Sequence, residues 1–248
     1  NSSYAERPAK LFSGAETLLT ISISIKGENN INWYSTELRK WSSDFRSNLF
    51  KTTNYNKIQN KIRDYLIQKY SNELENSIGN KIFSKSSRLK NVISCSANDH
   101  KLFYRYAGGR YWKILTDFQP RFISNGQKIV SHSERYLYFE NNHLRDIVIN
   151  SLSSSLFYWY FVITTDGRNL NPFDLNEFPI STKLIGMSEL KDLLMQDYKR
   201  KKEIKFKKSK KSGDVEYEEF YPRKSKLIID EIDKVLAEHY GFTEEELD

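Results

Sequence analysis

The sequence predicts an α+β fold in which aromatic-rich β-hairpins pack on long helices and the C-terminus is helical. Three observations lead to this class. A segment near the N-terminus has the two-residue apolar period of a strand, and later segments have the three- and four-residue period of helices. The two kinds of segment do not alternate regularly along the chain, so a regular α/β arrangement is not expected.

The N-terminal region has the pattern of a strand pair. Between residues 18 and 26 apolar residues alternate with Thr and Ser, which predicts a half-buried strand with Leu19, Ile21, Ile23 and Ile25 on one face. Residues 27–30 are a turn signal, and residues 31–35 are expected to pair back as a second strand. Because a lone hairpin is only marginally stable, we assign residues 1–50 to the end of a larger sheet and its linker, and residues 51–248 to a second domain.

Four segments have helical spacing. They are residues 58–83, one long helix over 144–163 that begins at Asn141 or Asn142, a helix capped by Ser188 that continues into the lysine-rich stretch 199–211, and a last helix between Pro222 and Gly241. The predicted buried faces of the last three helices are Leu144, Val148, Leu152, Leu156 and Tyr160; Leu190, Leu193, Leu194 and Tyr198; and Leu227, Ile228, Ile232, Val235 and Leu236.

An aromatic region between these helices has the pattern of strands. Residues 101–106 and 110–115 are expected to form a hairpin around Gly108-Gly109, and residues 135–139 a further strand. We favour a tight turn as the role of the two glycines over a close approach of the backbone to a binding partner. Since alternate strand positions face inward, either Tyr111 or Trp112 is expected to pack against the long helix.

Composition limits the class of partner without choosing one. Hydrophobic residues make up 38% and charged residues 29%, while 16 Tyr, 15 Phe and 4 Trp supply the area that a core needs. A net charge of +7 fits a polyanionic partner, but it fits simple solubility equally well. One cysteine and four scattered histidines predict neither a disulfide nor a closed zinc site. Without an apolar run of bilayer length or a signal-peptide pattern, we expect a cytoplasmic protein without a membrane partner.

Several stretches resemble one known family in order along the chain. The stretches are residues 6–15 running into 19–21, then 110–113, 133–139, 154–159, 165–171 with 177–179, and 224–242. They are similar to the end of the catalytic domain and the target-recognition domain of adenine-N6 DNA methyltransferases of restriction-modification systems, type IIG enzymes included. The N-terminal strand pair would then belong to a Rossmann-like methyltransferase core, and the second domain would bind duplex DNA.

The resemblance implies a part of an enzyme rather than a complete one. The Asn-Pro-Pro-Tyr catalytic motif and the Gly-rich cofactor loop of the family do not occur in this sequence. We therefore expect no catalytic, cofactor-binding or metal-binding residue in this chain, and S-adenosylmethionine only in the parent enzyme. Expected partners are duplex DNA and the catalytic domain. Whether the parent also cleaves DNA stays open, and the alternative is a protein-interaction module that docks through Ile228 and Ile232 of the last helix.

Candidate DNA-binding residues follow from the chemistry of recognition. Phosphates attract Lys and Arg, whereas base edges are read by Arg, Lys, Asn and Gln. The candidates are Arg105, Arg110, Lys113, Arg121, Asn125, Gln127, Lys128, Arg135, Arg168 and Asn169. Arg110 and Arg121 stand beside predicted turns and are the first choice, while helix capping is the favoured role of Arg168, Asn169 and Asn171. The stretch 199–211 fits a phosphate clamp and a solvated surface equally well.

One sequence pattern suggests nuclease chemistry. Asp174, Glu189 and Lys191 imitate the Asp…Glu-x-Lys arrangement of metal-dependent nucleases. So short a pattern arises easily by chance in a chain this rich in charge, and we interpret it as coincidence. His100, His132, His143 and His239 are widely spaced and are expected to be ordinary loop or helix residues.

Overall fold

The computed structural model describes residues 1–26, 32–62, 66–85, 87–107, 112–208 and 213–247. These residues form helices and several small sheets, which confirms the α+β class. The strands are β1 (Ser2–Tyr4), β2 (Leu19–Ile21), β3 (Trp33–Ser35), β4 (Leu38–Arg39), β5 (Asn56–Ile58), β6 (Ser87–Arg88), β7 (Ile93–Ser94), β8 (Lys101–Arg105), β9 (Leu115–Thr116), β10 (Phe122–Ser124), β11 (Gln127–Lys128), β12 (Glu134–Phe139), β13 (Pro179–Ile180), β14 (Glu203–Lys207) and β15 (Val215–Glu219).

Helices lie between and after the strands. They are α1 (Glu73–Lys85), α2 (Asn142–Ser153), α3 (Ser155–Thr164), α4 (Pro172–Asn176), α5 (Met187–Lys201), α6 (Lys226–Tyr240) and α7 (Glu244–Leu247). Short 3-10 turns are found at Ser43–Asn48, Leu89–Asn91 and Pro222–Ser225.

Two four-stranded sheets dominate the second domain. The core sheet has the order β7-β12-β8-β9, with the long antiparallel pair β8–β12 at its centre. The charged sheet has the order β11-β10-β15-β14, and all its neighbouring strands are antiparallel. The ladder β13–β6 adds two strands to this part, the ladder β3–β5 joins residues on either side of residue 50, and the three-stranded sheet β2-β1-β4 lies at the N-terminus.

The main core lies between the core sheet and four helices. Leu102, Leu115 and Phe139 from the sheet are fully buried against side chains of α2, α3, α5 and α6. Aromatic rings fill much of this volume, and the Tyr160 ring packs edge-on to Phe178 with centroids 5.1 Å apart. The predicted N-cap is confirmed at Asn141, whose side chain accepts a hydrogen bond from the Leu144 amide (2.9 Å).

The single long helix predicted over 144–163 is wrong. Two helices, α2 and α3, meet at Ser154 with a bend of 65°. Ser154 has extended backbone, and its hydroxyl caps α3 by accepting from the Phe157 amide (3.1 Å). Asp233 of α6 accepts the Ser155 amide at 2.8 Å. The break satisfies the free amides at the start of α3, and apolar spacing alone could not reveal it because both helices continue the same buried face.

The N-terminal strand pair also differs from the prediction. Strand β2 ends at Ile21, and it pairs with β1 instead of with residues 31–35. Ile23 and Ile25 are 78% and 90% exposed, so their alternation marks no buried face. Strand β3 pairs instead with β5, which carries the chain across residue 50. A small cluster of Tyr4, Leu11, Trp41 and Leu49 nevertheless lies wholly within residues 1–50; the domain boundary itself stays a prediction.

The helix predicted over 58–83 is much shorter. It begins only at Glu73, where Asn72 accepts a hydrogen bond from the Glu75 amide (3.0 Å), and Ile58 belongs to strand β5. Ile62 and Tyr70 lie in a separate small cluster with Ile163 of α3. The spacing of Ile58 and Ile62 therefore reflects tertiary contacts of a non-helical segment.

The remaining helices agree with the prediction in position but not in every detail. Gly186, with φ +75°, caps α5 in place of Ser188, and Leu193 is exposed. Helix α5 ends at Lys201, and residues 203–207 form β14 instead of extending the helix. Leu227 of α6 is 83% exposed, whereas Ile232 and Leu236 are buried as predicted. Gly241 closes α6 in the left-handed region (φ +69°), as expected.

The predicted hairpin of residues 101–106 and 110–115 is present in part. Strand β8 pairs antiparallel with the short β9, and Tyr104 lies opposite Leu115. The turn at residues 108–111, with Gly108, Gly109, Arg110 and Tyr111, lies outside the described residues. Strand β12 covers the predicted 135–139 and starts one residue earlier. Within the described ranges no single helix has the length and apolarity to cross a bilayer, although the bent pair α2–α3 together would.

Candidate nucleic-acid interface

The charged sheet is held together mainly by polar contacts. None of the residues in its four strands is fully buried. Lys202 and Glu218 form an ion pair at 2.6 Å, and Arg121 and Glu216 form one at 2.8 Å. Phe220 anchors the sheet, because its ring packs on Tyr198 of α5 and on Phe118 with centroids about 6 Å away. The sheet therefore contacts the core through an aromatic region, and its most exposed strand residues lie on the outer strands β11 and β14.

Two hairpin ends of the charged sheet meet side by side. A two-residue turn, Asn125-Gly126, connects β10 and β11, and both residues have positive φ (+50° and +79°), as type I′ turns require. The Asn125 amide donates to the Asp214 carbonyl (2.9 Å), and the Asp214 amide donates to Asn125 Oδ1 (3.1 Å). This pair of hydrogen bonds locks the β10–β11 turn to the start of β15.

Glycine is needed where the two hairpins touch. A Cβ atom on Gly213 would lie 2.0 Å from Asn125 Oδ1, and Gly213 also has a positive φ of +75°. No other residue allows so close a contact without moving the turn. The two hairpin ends form one unit, which we call the hairpin tip: Asn125, Gly126, Gln127, Lys128, Lys207, Lys208, Gly213 and Asp214.

The hairpin tip presents cations and amides to solvent. Asn125, Gln127, Lys128, Lys207 and Lys208 are all exposed, and three of them are lysines. Lys210 and Lys211 of the predicted lysine-rich stretch lie outside the described residues. Lysines bind phosphates, and side-chain amides read base edges, so this tip has the residue types that a duplex needs.

A cleft of about 350 Å³ separates the core sheet from the charged sheet. It brings together Arg105, Lys113 and Arg121 from the predicted set with Glu134 and Glu218. Aromatic walls come from both sheets: Phe103 and Trp112 on one side, Phe122, Tyr217 and Phe220 on the other. The cleft is thus both aromatic and charged, with groups of both signs.

Lys113 is a buried structural group and is not available to phosphates on the surface. Its residue is only 7% exposed, its ammonium group donates to the Arg168 carbonyl at 2.7 Å, and it lies over the Phe161 ring. Burial lowers the pKa of Lys113 to about 8, although the nearby Asp166 carboxylate acts in the opposite direction. Its prediction as a DNA contact is therefore corrected, because the ammonium group could reach a phosphate only by leaving these partners.

The predicted arginines of this region are exposed, but they make different contacts with the rest of the chain. Arg121 pairs with Glu216, and its own amide donates to Glu218 at 3.0 Å. Arg135 donates to two neighbouring carbonyls and stacks over the Tyr106 ring at 4.3 Å. Arg105 uses its Nε for the Ala107 carbonyl at 3.0 Å. Their guanidinium groups are held in place by the fold and remain at the surface, while Arg110 lies outside the described residues.

Arg168 connects two regions of the chain. Its guanidinium group donates to the Glu6 carboxylate and to the Glu16 carbonyl, and its amide donates to Asp166 Oδ1 (2.9 Å). Arg168 therefore fastens the segment after α3 to the N-terminal region, in line with a structural role for this loop. Asn169 is exposed, and Asn171 caps α4 through a capping box with Asp174.

The lysine-rich stretch is divided between pairing and exposure. Lys201 pairs with Asp197 at 2.6 Å, Lys202 with Glu218, and Lys205 with Glu203 at 2.8 Å, while Lys199 lies over the Phe118 ring at 4.5 Å. These residues stabilise the charged sheet and its attachment. Of the described part of this stretch, only Lys207 and Lys208 belong to the hairpin tip.

The nuclease-like pattern does not form a site. Asp174 is engaged in the capping box of α4, and Lys191 is buried among Asp117, Asp146 and Asp192. Throughout the described ranges, no group of three or more His, Cys, Asp or Glu residues is arranged to hold a metal ion. His100 contacts the Asn142 side chain, and Cys95 is exposed.

Residues of β15 and Glu134 were missed in the sequence. Strand β15 (Val215–Glu219) alternates only two apolar residues, Val215 and Tyr217, with glutamates, and this pattern is too short to predict a strand. The Asn125-Gly126 dipeptide is the one strong signal that was available, since it is the preferred type I′ turn sequence. Comparison of the chain with models of protein families, with curated proteins and with solved structures gave no match in any of the three.

Proposed function

We propose that this chain binds duplex DNA through the hairpin tip, as the target-recognition part of an adenine-N6 DNA methyltransferase of a restriction-modification system. The observation that carries the DNA-binding proposal is the joining of two hairpins into one rigid end that presents Asn125, Gln127 and Lys128 beside Lys207 and Lys208. A two-stranded β-ribbon fits the major groove of B-DNA, where amides pair with adenine and lysines with guanine or phosphate.

Further cations support a wider footprint. Arg105 lies on β8, Arg135 on β12 and Arg121 immediately before β10, and all three are exposed. The net charge of +7 favours association with a polyanion and speeds the encounter at low salt. In this arrangement the tip reads bases and the flanking arginines hold the phosphate backbone.

The link to methylation rests on the resemblance described above. The N-terminal sheet β2-β1-β4 would continue a Rossmann-like catalytic core, and Arg168 would transmit its position to the recognition domain through Glu6. The catalytic domain would hold S-adenosylmethionine and receive the target adenine outside the stack, because its N6 atom cannot be reached within a duplex. This chain would hold the DNA during that step. The parent enzyme would act in the bacterial cytoplasm.

The rival function, in which the chain docks on a protein through α6, is weakened by the positions of the two residues that were expected to make the contact. Ile232 is fully buried in the main core, and Ile228 packs against the same core. Ile232 is therefore closed to a partner, and Ile228 keeps only a partly exposed side chain. The exposed apolar residue of this helix is Leu227, and one side chain is too small for a docking face.

The test compares two double variants that remove the same charge. Lys207→Ala with Lys208→Ala alters the hairpin tip, whereas Lys226→Ala with Lys234→Ala alters exposed lysines of α6. Binding to a labelled duplex is measured by fluorescence anisotropy across a range of salt concentrations. Each lost phosphate contact should lower the slope of log K against log salt by about 1, so the tip variant should lose up to about 2 and the α6 variant should keep the parent slope.

Selection from a random duplex library then tests the reading of sequence. Enrichment of one adenine-containing site that disappears in Asn125→Ala or Gln127→Ala supports target recognition. Equal loss of slope in both double variants would show that only total charge matters, and absence of duplex binding at low salt would overturn the proposal.

A further inference from the structure

The cleft between the core sheet and the charged sheet has the size and lining of a binding site. Its volume of about 350 Å³ falls in the range of small-ligand pockets, roughly 300–1,000 Å³. Phe103 of β8 lies on one wall, and Phe122 and Tyr217 of the charged sheet lie on the other. Flat aromatic rings on two walls favour a flat ligand that stacks.

Two groups of opposite charge lie side by side on the core-sheet wall of this site without pairing. Glu134 lies directly opposite Arg105 in the β8–β12 ladder, a position where side chains normally interact. Glu134 Oε1 instead accepts from Gln119 Nε2 (2.9 Å), and Arg105 donates its Nε–H to the Ala107 carbonyl (3.0 Å). The second carboxylate oxygen of Glu134 makes no hydrogen bond or ion pair with any residue that the structure describes, although burial raises the pKa of this group. Both side chains therefore keep capacity for a ligand.

We propose that this cleft binds a single nucleotide whose base carries an exocyclic amino group. The base stacks between the aromatic walls, its amino group donates to the free oxygen of Glu134, and Arg105 binds the phosphate. Adenine, cytosine and guanine have such an amino group, whereas thymine has none and would leave Glu134 without its strongest donor. The inference extends the proposed DNA binding, but it concerns a base outside the duplex and a different set of residues.

The position of the cleft connects it to the hairpin tip. Strand β10 carries Phe122 in the cleft and leads directly to Asn125 in the tip, three residues and about 10 Å further on. A duplex held at the tip would thus lie within reach of the cleft, so that an unpaired base could enter it. A free nucleotide offers the same chemistry, and the two sources are separated by experiment.

The first arm titrates the chain with each deoxynucleoside 5′-monophosphate and follows binding by ligand-observed NMR and calorimetry. We expect dAMP, dCMP or dGMP to bind about tenfold or more tightly than TMP. Glu134→Gln should remove most of this preference, and Phe103→Leu, which keeps an apolar side chain but removes the aromatic face, should weaken all nucleotides. The double variant Lys207→Ala with Lys208→Ala should bind free nucleotides as the parent does.

The second arm compares a fully paired duplex with one that contains a single bulged adenine. If the cleft accepts bases from DNA, the bulged duplex binds more tightly, and Glu134→Gln removes the gain while binding to the paired duplex is unchanged. Nucleotide binding without a gain for the bulged duplex assigns the site to free nucleotides. The proposal fails if neither ligand is bound in the cleft, or if Glu134→Gln and Phe103→Leu, folded by circular dichroism, both bind as the parent does. Normal binding of the paired duplex in that case would leave the proposed function intact.

Discussion

The two four-stranded sheets of this protein are built on different forces. The core sheet turns Leu102, Tyr104, Leu115 and Phe139 into the main core, where they are almost inaccessible to water. The charged sheet has no fully buried residue in its described strands and depends on ladders of hydrogen bonds, ion pairs and the Phe220 contact. Burial of apolar area stabilises far more than exposed ion pairs do.

The two sheets are therefore suited to different roles, the core sheet as a scaffold and the charged sheet as a surface for interaction. A sheet held by packing keeps its geometry in any solvent, which suits a platform that must position other elements. A sheet held by exposed charges is sensitive to salt, and its polar side chains can exchange internal partners for a polyanion. The candidate DNA contacts Asn125, Gln127 and Lys128 lie on the second kind of sheet, at the end furthest along β10 and β11 from the aromatic anchor at Phe220.

The largest expected effect on stability comes from truncating an apolar side chain in the core sheet, and a matched truncation in the charged sheet serves as the comparison. Leu102→Ala should lower the free energy of unfolding by about 2–5 kcal/mol, because it leaves a cavity in the main core. Ile204→Ala in β14 removes a half-exposed side chain and should change it by about 0.5 kcal/mol or less. Urea unfolding measures both, and similar losses in the two variants would contradict the contrast between the sheets.

A smaller effect on stability is expected for a buried ion pair, which should differ from exposed ion pairs in its dependence on pH and salt. Glu246 pairs with Lys81 at 2.5 Å and accepts from Ser77 at 2.6 Å. Burial by itself would raise the pKa of Glu246, but these partners outweigh it and hold the pKa at about 2, below the ordinary 4.5. The stabilisation is therefore fully present above pH 4.5 and is lost as pH falls from 4.5 towards 2.

Glu246→Gln should remove of the order of 2 kcal/mol at neutral pH and flatten the acid dependence of stability over this range. Unfolding measured between pH 2 and 7 in low salt and in 1 M salt is the check. The parent should keep its acid dependence in high salt, because the Glu246 side chain is shielded from solvent. If the acid dependence of stability disappears in 1 M salt, the Glu246–Lys81 pair behaves like the exposed ion pairs of the charged sheet.

The smallest effect on stability concerns the hairpin tip. Gly126→Ala forces a side chain into positive φ and should cost about 1 kcal/mol, felt mainly as faster hydrogen exchange of β10 and β11. Gly14→Ala, at a position with ordinary φ and open space around it, is the control and should be nearly neutral. If the hairpin tip binds DNA, Gly126→Ala should also weaken duplex binding, whereas Gly14→Ala should not. Unchanged duplex binding by Gly126→Ala would mean that the Asn125-Gly126 turn takes no part in recognition.

Local rules were enough to predict several elements. Asn141 begins α2 and Gly241 ends α6 because capping depends on one residue and its immediate neighbours. Strand β12 was predicted because its run of aromatic residues is enriched in strands, and the surrounding sheet supplies the neighbours that such residues need. The candidate residues Asn125, Gln127 and Lys128 lie together for the same kind of reason, since they are adjacent in the sequence.

The failures share a different cause. Ile23 and Ile25 alternate like a strand but have no partner surface, and Ile58 and Ile62 are spaced like a helix while belonging to a strand and a loop. A period shows which residues would share a face if the element formed; it does not show that a neighbour covers the face. Strand β15 was missed for a different reason, because its own alternation is limited to Val215 and Tyr217 and its place depends on pairing with β10 and β14.

The sequence by itself determined the α+β class, the caps and the cationic, aromatic character of the central region, because these depend on composition and on contacts within a few residues. Only the tertiary structure decided that Lys113 is buried, that Arg168 fastens the N-terminal region, and that the Asn125 turn meets the hairpin of β14 and β15. The contacts in question join residues 55 to 162 positions apart, from Lys113 with Arg168 to Arg168 with Glu6. Which distant groups meet depends on the packing of the whole chain, and local preferences do not contain that information.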